Sequence, residues 1–329
     1  MHGDDAHIVE PSGSAPLRLY QPIHRLISVA SASDPHAAQR GAFLREPPSD
    51  RPGRDAAADG PSPQEFEAAI FDMDGVLTRT AAVHSLAWKR MFDDFLRARA
   101  ESRGEPFREF THAQDYLAYV DGRPRDQGVE AFLRSRGIAL PPGSPEDPPE
   151  RETIHGLGNR KNAHFNRIIA REGVALYDST VDLIRDLRGR GIRTGLATSS
   201  RNSAVILGKT GTARLFDTVV DGLVSEKLRL RGKPEPDIFA AAAGNLGVPC
   251  ARAIVIEDAV SGVQAGARGG FGLVIGVARE NNIRELQENG ADLVVRDLAE
   301  IHAGDIDRLV RAKRAGTRGR APFPEKNAP

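Results

Sequence analysis

Five stretches of this chain are apolar almost without interruption: FEAAIFD (66–72), IRTGLAT (192–198), AIVIED (253–258), GLVIGVA (272–278) and, more weakly, ADLVV (291–295). A strand with one wet face alternates apolar and polar positions, whereas a strand apolar throughout fits a parallel sheet covered by helices on both sides. Between these runs the period lengthens to that of a helix. The helical stretches are HSLAWKRMFDDFLRARA (84–100), DQGVEAFLRSRG (126–137) and RKNAHFNRIIAREG (160–173). All three fall between the first two apolar runs, a gap far too long for one crossover helix. The pattern therefore predicts an α/β chain, a Rossmann-like doubly wound parallel sheet with an all-helical domain inserted after its first strand. The core is expected over 65–80 and 178–310, and the helical insert over 81–177. Within the insert, ALPPGSPEDPPE (139–150) holds five prolines and must be a loop, since proline can neither donate in a helix interior nor sit in a central strand.

Composition changes the picture mainly at the ends. Residues 1–64 hold nine of the 22 prolines and no sustained period, so this segment is expected to be disordered or weakly ordered. PLRLYQPIHRLISVA (16–30) has some amphipathic character, short of a firm docking helix. The last 19 residues, from Arg311, carry six basic side chains against one Glu and read as a solvated flexible tail, too poor in aromatics for a nucleic-acid arm. Lysine plus arginine equals aspartate plus glutamate at 45 each, so no global field favours nucleic acid or an anionic membrane. The single cysteine, Cys250, excludes an internal disulfide and fits a reducing compartment. No apolar run approaches the ~20 residues of a spanning helix. The best N-terminal run, LISVA (26–30), is shorter than the ~7–15 residues of a signal-peptide core. A cytoplasmic protein is expected.

The candidate chemistry sits where the apolar runs end. AAIFDMDGVLTRT (68–80) closes its strand with two carboxylates two positions apart, Asp72 and Asp74, which repel each other unless a cation intervenes or their roles differ. AIVIEDAVSG ends likewise in Glu257 and Asp258. Ligands of open parallel sheets bind at the carboxyl ends of strands, so the two pairs can share a hard divalent cation, and an all-oxygen donor set suits Mg²⁺. LATSSRN (196–202) offers hydroxyls and an Asn to phosphate oxygens, and GKPEPD (232–237) offers Lys233 as a point cation. Taken singly, an Asp at a strand end is usually a helix cap, and a Lys before Pro is usually loop surface. Four such pieces in order are a signature.

DMDGVLT, LATSS, GKPEPD and VIEDAVSG together resemble the four motifs of the haloacid dehalogenase superfamily of phosphotransferases, over residues 66–300. The resemblance implies that Asp72 is the nucleophile that accepts the phosphoryl group. It makes Asp74 the general acid and base, with a backbone carbonyl on Mg²⁺. Thr198 and Lys233 would hold the transferring oxygens, and Glu257 and Asp258 would complete a metal site of Asp72, Asp74, Glu257 and Asp258. An acid at position 74 is of no use to a dehalogenase, so phosphoryl transfer is the expected chemistry. The insert resembles the helical cap of one subgroup.

DGVLTRTAAVHSLAWKRMF (74–92) is similar to the opening of the β-phosphoglucomutase subgroup, where a threonine, a histidine and a tryptophan follow the second aspartate by six, ten and fourteen positions; Thr80, His84 and Trp88 match. His84 and Trp88 lie one helical turn apart and can share a pocket wall; on their own they would as readily be core residues. DGRPR places Arg125 where that subgroup grips a distal phosphate, and RKN places Lys161 facing the sugar. SSRN adds Ser199, Ser200, Arg201 and Asn202 to the substrate-binding set. Two departures, Arg79 and the proline-rich loop, are expected to reshape the pocket mouth. The resemblance implies a mutase interconverting β-glucose 1-phosphate and glucose 6-phosphate through an aspartyl-phosphate and a bisphosphate. It leaves open a Mg²⁺-dependent sugar-phosphate phosphatase and, least favoured, a non-catalytic phosphosugar-binding domain. The expected partners are a small phosphorylated sugar and a disaccharide phosphorylase working alongside, with the protein itself a monomer.

Overall fold

The structure is a computed structural model that describes residues 64–316. The expectations for residues 1–63, including the stretch 16–30, and for residues 317–329 lie outside the described residues. Six parallel strands form one sheet: β1 (Ala68–Phe71), β2 (Arg193–Ala197), β3 (Thr218–Val220), β4 (Ala253–Glu257), β5 (Leu273–Val277) and β6 (Leu293–Val295). Their order is β3-β2-β1-β4-β5-β6, so the winding reverses between β1 and β4. Register is parallel throughout, with Ala68 opposite both Arg193 and Ala253.

Strand β1 shows why its run is apolar on both sides. Ala69 and Phe71 enter one core cluster and Ala68 and Ile70 the other, and all four are fully buried. The insert between β1 and β2 consists of α1 (Ala81–Arg103), a π turn (His112–Tyr116) running into α2 (Leu117–Tyr119), α3 (Arg125–Ser135) and α4 (Ile154–Glu172). It has its own aromatic centre, in which Phe92 packs 4.2 Å from Phe132 and 5.4 Å from Trp88 between ring centroids. The remaining helices flank the sheet: α5 (Asp178–Gly189), α6 (Ser203–Thr210), α7 (Gly222–Leu228), α8 (Asp237–Asn245), α9 (Val260–Arg268), α10 (Ile283–Glu288) and α11 (Ala303–Arg314). Val181, Ile184 and Leu187 of α5 cover one face, and Ile238, Phe239 and Ala242 of α8 the other.

Three expectations are corrected. Strand β3, TVV, is too short to stand out as an apolar run and becomes a strand only by pairing along β2. Helix α4 begins at Ile154, six residues before its apolar period is clear, because the Thr153 hydroxyl caps it by accepting from Gly156 N. The tail does not become flexible at Arg311: α11 runs to Arg314, with Arg311 and Arg314 paired to Glu65 and Lys313 to Asp292.

The two segments joining sheet and cap lie against each other. Thr78 bridges Leu176, Arg79 N donates to Ala175 O at 2.9 Å, and Tyr177 N donates to Leu77 O at 3.0 Å. The cap is thus tied to the sheet by a short two-stranded neck.

Candidate active site

The reversal of strand order opens a crevice at the carboxyl ends of β1 and β4, and there the expected residues gather. Asp72 follows β1, Thr198 follows β2, Glu257 ends β4 and Asp258 follows it. Gly75 makes the close approach possible: it has φ +85°, and a side chain there would collide with the Asp258 carboxylate.

Lys233 is 1 % exposed and donates 2.6 Å bonds to Asp72 Oδ1 and Glu257 Oε1. Burial alone would lower its pKa, but the two carboxylates outweigh that and hold the ammonium charged. The other Glu257 oxygen accepts from Asp258 N at 2.6 Å and Ala259 N at 2.8 Å. Glu257 is therefore gripped from both sides, by the lysine and by the amides leading into α9. Asp72 carries the opposite burden: burial, then Glu257 and Asp74, push its pKa up, against the pull of Lys233. Asp258 is raised as well, by burial first and then by Glu257 and Asp121.

The residues present fit a divalent cation. Asp72, Glu257 and Asp258 each offer an oxygen, all within 4.8 Å of one another. One lysine for so many buried carboxylates leaves a negative site, and an all-oxygen set suits a hard ion. Asp74 was expected to contribute its backbone carbonyl, and its carboxylate lies outside this cluster.

That carboxylate points instead to the cap. Thr80 Oγ1 donates to Asp74 Oδ1, and His84 Nε2 lies 3.2 Å from the same oxygen, an electrostatic contact rather than an aligned hydrogen bond. Burial raises the Asp74 pKa, but His84, Thr80 and Lys161 together overcome it and keep the value below the ordinary carboxylate range. Lys161 Nζ is 2.6 Å from His84 Nδ1 and lies 5.1 Å from the Trp88 and Phe165 ring centres. Burial, followed by the Arg125 charge, lowers Lys161 to about 7. The two carboxylates thus differ in environment: Asp72 belongs to the sheet and its lysine, Asp74 to a chain of contacts reaching into the cap.

One pocket takes in most of the expected binding residues: Asp72, Asp74, His84, Trp88, Arg125, Lys161, Thr198, Ser199, Ser200, Arg201, Asn202 and Asp258 all line it. Two do not. Thr80, expected to bind substrate, is 1 % exposed and sits behind Asp74, and Lys233 reaches Asp72 from beneath. Several others already have partners. The Ser199 hydroxyl donates to Gly122 O at 2.9 Å, Asn202 Nδ2 donates to Asn162 Oδ1 at 2.9 Å, and Arg201 is paired with Glu226. Ser199 and Asn202 thereby tie the sheet to the cap. Trp88 serves both readings, lining the pocket at 4 % exposure while belonging to the aromatic core of the cap.

Neither departure from the motif pattern reaches the pocket mouth. Arg79 is exposed, donates to Leu176 O at 3.2 Å and stacks over Tyr177 in the neck. The proline-rich loop lines no part of the pocket. Sequence reasoning also passed over Tyr116, Asp121 and Asn162, which line it. Asn162 lies inside the RKN stretch and could have been found there. Asp121 could not, because only tertiary packing brings it near Glu257; burial first, and then that carboxylate, raise it to about 6.

The haloacid dehalogenase-like hydrolase family model matches residues 66–270. The chain belongs to this family. It is 43 % identical over 242 residues to a β-phosphoglucomutase of Mycobacterium tuberculosis, covering 73 % of this chain and 92 % of that one. It is 33 % identical over 237 residues to a β-phosphoglucomutase of Bacillus subtilis, again covering 92 % of it. Among solved structures, a β-phosphoglucomutase from Clostridium difficile superposes with a TM-score of 0.59 at 23 % identity, covering 76 % of this chain and 99 % of that one. This last likeness is one of fold. Haloacid dehalogenase-like enzymes generally use Mg²⁺, in keeping with the acidic cluster at the strand ends. Among the described residues no helix is long and apolar enough to cross a membrane.

Proposed function

We propose that this haloacid dehalogenase-family enzyme is a phosphosugar mutase that interconverts β-glucose 1-phosphate and glucose 6-phosphate in the cytoplasm. The observation that carries the reading is a pocket with two ends that could each hold a phosphate. One end is the nucleophile Asp72 with Lys233 beneath it and Thr198 beside it. The other is the cap face bearing Arg125 and Lys161, with Arg201 and Asn202 alongside. A phosphatase needs only the first end, whereas a mutase working through a bisphosphate needs both. The relatives named β-phosphoglucomutase support this choice of sugar.

The steps follow from the geometry. An Asp72 oxygen attacks phosphorus in line, the bond from phosphorus to the sugar oxygen breaks, and Asp74 gives the leaving oxygen the proton it took from a sugar hydroxyl in the other transfer. In the second transfer the Asp74 carboxylate takes the proton of the attacking sugar hydroxyl, which removes the phosphoryl group from Asp72. Its lowered pKa keeps the carboxylate ionised at rest and so free to accept that proton. Lys233 stays charged throughout and stabilises the transferring oxygens. Mg²⁺, held by Asp72, Asp258, Glu257 and the Asp74 carbonyl, would offset the charge of the carboxylates facing the phosphate. The cap excludes water while a sugar hydroxyl takes the phosphoryl group. We take the protein to work as a monomer, supplied with β-glucose 1-phosphate by a disaccharide phosphorylase.

The test is to supply the purified protein with Mg²⁺, β-glucose 1-phosphate and a bisphosphate primer, and to follow glucose 6-phosphate and free phosphate together. Glucose 6-phosphate should dominate. Free phosphate as the main product would make the protein a sugar-phosphate phosphatase, and no turnover of either kind would leave a phosphosugar-binding domain.

A further inference from the structure

The proline-rich loop 139–150 touches neither the pocket nor the sheet ends, yet it is among the most tightly bonded loops of the cap. Asp147 is buried at its centre; its carboxylate accepts from Ser144 N at 3.1 Å, Thr153 Oγ1 at 2.6 Å and Arg151 Nη1 at 2.6 Å. Gly143, at φ +73°, turns the chain where a side chain would meet Asp147 and Thr153. The loop's carbonyls are taken up by α4 and the residues at its start. Pro141 O and Pro142 O accept from Ile154 N and His155 N, and Pro149 O accepts from Arg160 Nε at 2.6 Å. Five prolines lower the freedom of such a segment before it docks, so little ordering remains to oppose it.

One side chain connects this loop to the pocket. Asn159, on the second turn of α4, donates from Nδ2 to Pro145 O and to Asp147 O, both at 2.9 Å. Its Oδ1 accepts from Arg125 Nη1 at 3.1 Å. An amide is the only group of this size that can give two bonds to carbonyls and receive one from a guanidinium. An Asp would face two carbonyls with no proton to give, and a Leu would make none of the three bonds. The second contact of the same Arg125 nitrogen is long, 3.4 Å to Gly158 O. Among the described residues no carboxylate is hydrogen-bonded to Arg125, and burial, followed by the nearby Arg201 charge, lowers its pKa to about 10. Its orientation therefore depends on a neutral acceptor that the loop holds in place.

We propose that the proline-rich loop is a strap that positions Arg125 through Asn159, setting the affinity of the distal-anion end of the pocket. This rests on the reading of Arg125 as the grip on the distal phosphate. A neutral, strapped acceptor orients the guanidinium without neutralising it, so that an incoming phosphate would meet a fixed fork not already bonded to a carboxylate of the described residues. Asn159 is a positioning residue; the anion is held by Arg125.

The experiment compares Asn159→Ala, Asp147→Ala, Arg125→Ala and the double variant Asn159→Ala/Arg125→Ala in the full-length protein with Mg²⁺. Two readouts are taken: steady-state turnover of β-glucose 1-phosphate, and labelling of Asp72 by acetyl phosphate, which carries no distal group. Asn159→Ala should raise KM for the phosphosugar about tenfold, the scale of a misoriented charged contact, with kcat and acetyl phosphate labelling changed less than about twofold. Asp147→Ala, which loosens the loop without touching Arg125, should raise KM in the same direction by about threefold. The double variant should be no worse than Arg125→Ala alone, since both changes remove one interaction. The strap is overturned if Asn159→Ala leaves KM unchanged while Arg125→Ala raises it. It is also overturned if labelling falls as far as turnover, which marks general damage to the cap, or if the two losses multiply. If Arg125→Ala itself leaves KM unchanged, the distal-anion reading fails and takes the strap with it, a pattern distinct from the other three.

Discussion

Two lysines lie almost fully buried on opposite sides of the pocket, and their environments push them in opposite directions. Lys233, on the sheet side, is 1 % exposed, bonds two carboxylates, and is held above its ordinary pKa. Lys161, on the cap side, is 3 % exposed, bonds only an imidazole nitrogen, faces Arg125, and is lowered to about 7. Burial costs each of them the same kind of solvation; what differs is the counter-charge within reach. The sheet supplies it permanently, because parallel strands end side by side and bring Asp72 and Glu257 to one place. The cap leaves its lysine under-compensated, and in the proposed function an anionic ligand would supply the counter-charge. A compensated lysine on one side thus faces an under-compensated one on the other.

The sharpest break in this comparison is at Asp72. Asp72→Asn should abolish turnover and any acid-stable label from acetyl phosphate; near-normal activity in that variant would remove the nucleophile and, with it, the purpose of Lys233. Excess chelator should likewise stop turnover while leaving the melting temperature almost unchanged, because the sheet is built from apolar packing rather than around an ion. Ca²⁺ should occupy the site and inhibit, its looser coordination failing to hold in-line geometry. Activity that survives chelation would put the whole negative charge of the site on Lys233.

Asp74→Asn should slow turnover by ~10²–10⁴-fold, the usual scale for a general acid–base residue, while labelling of Asp72 by a good leaving group persists. Lys233→Met should cost ~10²–10³-fold, the scale of one preorganised electrostatic contact. It should also destabilise the fold increasingly as pH rises, since Asp72 then ionises in a buried site with no cation beside it. A pH-independent melting temperature for that variant would mean the lysine is not what holds the carboxylates together.

Lys161→Met should have the smallest effect, roughly a tenfold rise in KM for the phosphosugar from one lost charged contact. Its stability profile carries the sign that separates the two lysines. The folded value, about 7, lies below the ordinary 10.5, so between those limits the unfolded chain binds the extra proton. The unfavourable burial of this charge is fully present below pH 7 and is relieved as pH rises through 7 toward 10.5. At pH 6 the variant should therefore be at least as stable as the parent, with its advantage shrinking above pH 7. Melting curves over that range check it, and an advantage that grew with pH would show that Lys161 is neutralised by a carboxylate after all.

The site was legible in the sequence to very different depths on its two sides. Asp72, Thr198, Glu257 and Asp258 announce themselves because each ends an apolar run, and a parallel sheet forces such ends together. The cap gave no such guide. His84 and Trp88 are visible as a helical pair, but that Lys161 caps the His84 ring from 77 residues away depends on how α1 packs on α4. Thr80 looked like a pocket residue by spacing and proved to stand behind Asp74, since spacing along a neck does not say which way a side chain turns. The edge strand β3 and the helical continuation past Arg311 went unread for a related reason: both are stabilised by partners, β2 for one and Glu65 and Asp292 for the other, rather than by their own pattern.

The sequence by itself determined the parallel α/β sheet, the inserted helical cap and the carboxylate pairs at the strand ends, because period, punctuation and strand-end motifs are local properties that need no folding to be seen. Tertiary structure alone decided which charges are compensated. Whether a buried lysine meets two carboxylates or none, whether Asp121 approaches Glu257, and whether a loop of five prolines reaches Arg125 through Asn159 all depend on distances between segments far apart in the chain. Electrostatic energies fall off over a few ångströms, and no pattern of residues along the chain encodes those.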